Sequence, residues 1–197
     1  MKRYIIPFLA VLTMSFTAAY KLQKVKVGNV SLLVPEAFES LDEQSRYKEY
    51  SGVNMPIAVY RSQRDRSAYT VYQVSDSVML KQAKEQRKRG YTMSFDRDIN
   101  LEYSFKKASI SNKFKDINFI QEGVQKINGK DMIVFEFEGI IEGRDKKGRH
   151  TLTKVYNYMV HTFVKHNTYS VGFICNADLK DEYLETVHKS FKSLKVK

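Results

Sequence analysis

Apolar and polar residues alternate over most of this chain, with shorter stretches of helical spacing between, and that pattern predicts a sheet with helices inserted. Two short β-like runs come first, residues 24–27 and 30–34, separated by Gly28-Asn29, which tolerate the positive φ of a tight hairpin. Pro35 ends the pairing because it has no N–H for a ladder. Ser40-Leu41-Asp42-Glu43 has the form of a capping box, Ser40 and Glu43 satisfying each other's amides, and predicts a short helix that fades before Ser51-Gly52. Residues 57–62 and 68–75 read as strands joined by Gln63-Arg64-Asp65-Arg66. In the second strand Tyr69 and Val71 share one face and Tyr72 and Val74 the other, which predicts cover on both sides.

Residues 79–89 switch to helix-forming types, with Gly90 as a stop. Over residues 98–114, Leu101, Phe105 and Ala108 recur at helical spacing, so a second helix is expected. The second half is the more sharply patterned. A strand over 117–127 meets Asn128-Gly129, the strongest short hairpin signal. The return strand sets Ile133, Phe135, Phe137 and Ile141 on one face against Val134, Glu136, Glu138 and Glu142 on the other. A solvated turn over 143–148, a long strand over 153–164 and a turn at His166-Asn167 follow. The last strand, 168–175, places Tyr169, Val171, Phe173 and Cys175 on one side. Asn176 or Asp178 caps a closing helix that runs to about Ser193, with Leu184, Val187 and Phe191 inward. The fold class expected is α+β, one domain over residues 20–197 with an antiparallel sheet.

Composition enters at the N-terminus. Lys2 and Arg3 precede an apolar stretch over residues 4–14, and Thr17-Ala18-Ala19 supplies small residues for cleavage. The stretch is too short to span a bilayer, so residues 1–19 are expected to be a cleavable signal peptide, with the cut at Ala19/Tyr20 and a periplasmic or secreted product. With those two cations removed, 31 basic residues face 22 acidic ones, about +9. Export turns that charge away from nucleic acid and towards phospholipid head groups, acidic glycans or an acidic protein face. The single cysteine, Cys175, has no intramolecular disulfide partner.

Charge is concentrated in places. Lys81, Lys84 and Lys88 recur along one helical stripe, with Arg87 and Arg89 beside them and Glu85 opposing. Arg61, Arg64 and Arg66 form a second cluster with Tyr60 alongside, and Arg144, Lys146, Lys147 and Arg149 a third. A flat ring beside guanidinium groups suits protein or glycan contact. Catalytic patterns are missing: there is no G-x-S-x-G elbow, Gly-rich phosphate loop or H-E-x-x-H. His150, His161, His166 and His188 lack metal-ligand spacing, and no metal or cofactor is expected. Cys175 with His161 or His188 would need an exposed thiol, yet it sits in an apolar alternation where a small buried residue belongs. Glu136, Glu138 and Glu142 are read as a solvated face or as cross-strand partners of lysine.

The segment Val30-Ser31-Leu32-Leu33-Val34-Pro35-Glu36 resembles the opening of the PsbP-like superfamily, a strand followed by Pro-Glu. Ile127-Asn128-Gly129-Lys130 is similar to its mid-domain hairpin, and Thr168 to Phe173 followed by a helix to Ser190-Phe191 is similar to its ending. The resemblance runs over residues 30–197 and implies an α/β/α sandwich around a central antiparallel sheet, with a non-catalytic role. Relatives of that superfamily include photosystem II extrinsic subunits and Ran-binding import factors. The expected function is an exported binding or accessory module, not an enzyme, that docks on a protein complex or an anionic envelope component. Lys81, Lys84, Arg87, Lys88, Arg89, Arg61, Arg64 and Tyr60 are its candidate contacts. The alternative is a carrier of a small lipid-like ligand in a cleft between sheet and helices, with Tyr156 and Tyr158 as lining.

Overall fold

A computed structural model of the protein describes residues 20–50, 55–76, 81, 84–85, 88–90, 98–144, 147–164 and 166–197. The signal segment and Arg87 lie outside them. Strands β1 (Leu22–Val27) and β2 (Val30–Pro35) pair as the Gly28-Asn29 hairpin predicts. The final residues return as β10 (Lys195–Val196) on the other side of β2, completing a three-stranded sheet. A larger antiparallel sheet of seven strands forms from β3 (Phe38–Ser40), β4 (Ala58–Ser62), β5 (Ala68–Ser75), β6 (Lys115–Ile127), β7 (Lys130–Arg144), β8 (His150–Val164) and β9 (Asn167–Asn176). Their spatial order is β3-β4-β5-β9-β8-β7-β6.

The Asn-Gly hairpin forms where the sequence requires it. Asn128 and Gly129 both have positive φ, 48° and 81°, and Ile127 pairs with Lys130 across the turn. Asn128 also donates through Nδ2 to the carbonyls of Lys192 and Leu194, tying the hairpin to the chain end.

Among the described residues, helices α1 (Glu43–Glu49), α2 (Ile99–Lys113) and α3 (Lys180–Lys192) are placed around the sheets. Residues 81, 84, 85 and 88 are also helical, within the segment where a helix is expected. Helix α1 departs from the expected capping box. Ser40 belongs to β3, and Asp42 is the cap, accepting from the Ser45 N–H at 2.8 Å. Helix α3 follows a short 3₁₀ turn, Ala177–Leu179, and neither Asn176 nor Asp178 caps it through a side chain. The turn brings the chain directly from β9 onto the sheet, so α3 relies on its buried face of Tyr183, Thr186, Val187, Ser190 and Phe191.

Side-chain alternation divides the large sheet into two packed faces. On the inner face Tyr69, Val71, Tyr158, Val171 and Phe173 meet α3 and the small sheet, with Val30, Leu32, Val187 and Phe191 opposite. On the outer face a smaller cluster of Ile133, Phe135, Phe137 and Val155 meets Ile110 of α2 and Phe114, its C-cap. The helix expected over 98–114 forms as α2, but Leu101, Phe105 and Ala108, whose spacing marks it, point to solvent, with Leu101 55% and Phe105 64% exposed. A competing stripe wins because its partners are better placed. Tyr103 stacks on Phe135 at 5.4 Å and Phe114 meets Phe137 edge-on at 5.0 Å.

Candidate functional site

The outer face carries a cleft of about 430 Å³ between α2 and strands β5, β8 and β9. Three features of sequence make it. Gly172 sits in β9 between Met159 of β8 and Thr70 of β5, so the floor has no side chain at its centre. Asn157 and His161 lie four residues apart on β8 and therefore share the face that Met159 occupies between them. Helix α2 crosses above, and its Lys106, Ile110 and Lys113, with the C-cap Phe114, line the opening.

Among the described residues, two buried polar atoms in this cleft lack a hydrogen-bond partner, Asn157 Nδ2 and His161 Nε2. Their residues are 4% and 5% exposed, so water does not reach them freely. Leaving such a group unpaired costs about 1–3 kcal/mol. The other nitrogen of His161, Nδ1, is 2.7 Å from Ser170 Oγ. Burial, with Lys106 adding repulsion, pushes the His161 imidazole down to about 3, so it is neutral at physiological pH. In the tautomer whose Nδ1 accepts from the Ser170 hydroxyl, the proton sits on Nε2 and is available to a group in the cleft. Sequence reading missed this pair. Asn157 falls in a strand of tyrosines and valines, and the signal that marks it is a carboxamide at an inward position of an otherwise apolar alternation.

The inner face has its own buried polar group. Glu136, expected on a solvated face, is buried with 2% exposure. Tyr156 donates its hydroxyl to Glu136 Oε1 at 2.9 Å, and His188 Nε2 lies 3.1 Å from both carboxylate oxygens. The correction follows from register, since Glu136 pairs with Tyr158 on β8, under α3. Glu138 and Glu142 behave as expected, paired with Lys154 and Lys180 and with Lys115. Tyr156 is fully buried on this face, while Tyr158 borders a shallow depression beside His188, Phe191 and Asn128. Neither side chain faces the α2 cleft. Cys175 is packed in the inner core as its alternation predicts, on the face opposite His161, and burial pushes its thiol up to about 12.

The cationic candidates are distributed unevenly. Arg61 donates to Glu49 at 2.7 Å and to the Tyr50 hydroxyl. Arg64 is held by Glu182 and Asp65, within a cluster that joins Tyr20, stacked on Tyr183 at 5.1 Å, to α3. Burial works to raise the Asp65 carboxyl, but donors from Ser67, Tyr183 and Arg64 outweigh it and hold the group well below the usual carboxylate range. Tyr60 is half-buried in β4. Lys81, Lys84, Lys88 and Arg89 are exposed, and among the described residues they form no ion pair.

No protein-family model and no curated protein sequence matches this chain. Solved structures do. The cyanobacterial PsbP protein CyanoP from Synechocystis sp. PCC 6803 superimposes with a TM-score of 0.55 at 12% identity, over 89% of this chain and 92% of its own. LpqN, involved in cell envelope biogenesis of Mycobacterium tuberculosis, gives 0.53 at 11% over 89% and 90%. The Ran-binding protein Mog1p of Saccharomyces cerevisiae gives 0.51 at 11% over 90% and 96%. The chain therefore has a PsbP-like fold, an α+β sandwich with a central antiparallel sheet.

Proposed function

We propose that this protein is an exported, non-catalytic binding module that docks on a protein complex or an anionic envelope component. The observation that carries this reading is the contrast among its cations. Arg61 and Arg64 are engaged within the fold, whereas Lys81, Lys84, Lys88 and Arg89 stand exposed on one short segment. Arg87 belongs to the same proposed stripe. Exposed cations with no ion-pair partner among the described residues are the ones an acidic surface can meet at low cost. The fold is compatible with the reading, since one structural neighbour is described as Ran-binding and another as involved in envelope biogenesis. Among the described residues no helix is long and apolar enough to cross a membrane, and no three metal-ligating side chains cluster. Export rests on the apolar N-terminal segment with its cationic start.

The test is a crosslinked pull-down from the organism's own envelope at low and high salt. The comparison is the variant carrying Lys84→Glu, Arg87→Glu and Lys88→Glu. The expected result is loss of one saturable partner with the melting temperature unchanged. Equal recovery by variant and wild type at every salt concentration would overturn the reading.

A further inference from the structure

The α2 cleft is a built cavity whose occupant is legible in its chemistry. Its two unpartnered polar atoms lie at opposite ends, because Asn157 and His161 are four residues apart on an extended strand, about 13 Å. Each end also has a lysine. Lys106 acts electrostatically on His161. Lys113 lies over the Phe114 ring, which packs on Phe137, the cross-strand neighbour of Asn157. Between the ends the lining is apolar, with Met159 and Ile110 over the bare Gly172.

We propose that this cleft binds an elongated acidic amphiphile, a molecule with an apolar body and a carboxylate or similar acceptor oxygen at each end. One end accepts from Asn157 Nδ2 with Lys113 nearby, and the other accepts from His161 Nε2 with Lys106 nearby. The volume of 430 Å³ lies in the range of small-molecule sites. With bonds of about 1.5 Å meeting at about 111°, an extended chain advances roughly 1.25 Å per bond, so about ten carbons with an acceptor oxygen at each end cover the span. This inference does not rest on the docking reading, since the cleft lies under α2 and uses none of the residues proposed for the partner surface.

Binding calorimetry of the purified protein tests it with three probes: decanedioate, decanoate and decane-1,10-diol. Decanedioate is expected to bind with one site, and the diol to bind at least about tenfold more weakly for want of charge. Asn157→Leu is expected to weaken decanedioate by about tenfold or more without lowering the melting temperature, because it removes a donor that has no partner in the free protein. Gly172→Val should fill the floor and abolish binding. A Cβ there meets Thr70 Oγ1 at 3.4 Å, an ordinary contact, so the strand accommodates it. Lys106→Glu, at the mouth, gives an independent loss should the valine variant fold poorly. Absence of binding by both acids at millimolar concentration overturns the proposal. So does binding that Gly172→Val and Lys106→Glu both leave intact, or an Asn157→Leu variant that melts lower and binds normally. Decanoate binding as tightly as decanedioate overturns the two-ended ligand.

Discussion

Single residues explain both what the chain announces and what it hides. Asn128 announces itself, since Asn-Gly between two apolar runs is a hairpin signal whatever the rest of the fold does. Its second task, holding the carbonyls of Lys192 and Leu194, is invisible locally because the partners lie 64 and 66 residues away. Two variants separate the tasks in urea unfolding. Asn128→Gly keeps the positive φ and loses the side-chain bonds, costing about 1–2 kcal/mol. Asn128→Ala also strains the turn and should cost about 1 kcal/mol more. His161 is legible only in the structure, because alternation cannot distinguish an inward histidine from a solvated one. Burial lowers its folded pKa from 6.5 to about 3. The unfolded chain therefore binds the extra proton first, so this contribution to stability is complete above pH 6.5 and is lost as pH falls towards 3. The slope reaches about 1.4 kcal/mol per pH unit. The depressed carboxylates, Asp65 and Glu138 among them, act below about pH 4.5, outside the upper part of this window. Stability curves from pH 6.5 to 4.5 should fall for the wild type and flatten for His161→Phe. Parallel curves would show that the imidazole does not titrate on unfolding.

At the scale of elements, strands are more legible than helix faces. A strand has two sides, and a buried one marks itself by alternation, as Tyr169, Val171, Phe173 and Cys175 do in β9. A helix such as α2 carries two stripes of similar spacing, and the sequence has no means of ranking Leu101-Phe105-Ala108 against Tyr103-Ile110-Phe114. The choice belongs to the sheet, which offers Phe135 and Phe137 at stacking distance to the second stripe. The same limit explains the strands that were missed. The short β3 and β10 are held by pairing with β4 and β2, whose edges are not written in their own residues. The faces make opposite demands on substitution. Phe105→Glu, on the exposed stripe, should change stability by no more than about 0.5 kcal/mol. Ile110→Ala should cost about 2 kcal/mol, at the low end for such a truncation because Ile110 already borders an open cleft. Thermal unfolding of both variants decides, and a large loss from Phe105→Glu would return that residue to the core.

The whole molecule is asymmetric about its large sheet. The inner face is sealed by α3, β1, β2 and β10, with rings packed continuously from Tyr20 through Tyr183, Phe173 and Tyr69 to Phe191. Among the described residues the outer face has α2 over a smaller cluster, with the cleft beneath it and two polar atoms left unpaired. Local opening follows the thinner side, since an element with few buried apolar contacts detaches at a free energy below that of global unfolding. Amides in the middle of α2 should therefore exchange with solvent deuterium through a sub-global opening that denaturant barely affects. Those of β8 and β9 should exchange only with global unfolding, with full denaturant dependence. A ligand filling the cleft must contact α2 and the sheet together, so decanedioate should slow α2 exchange while leaving the three-stranded sheet unchanged. Exchange of α2 at the global rate in the free protein would mean that the outer face is as firmly closed as the inner one. The helix would then be a fixed wall of the cleft, and a ligand would have to enter without lifting it.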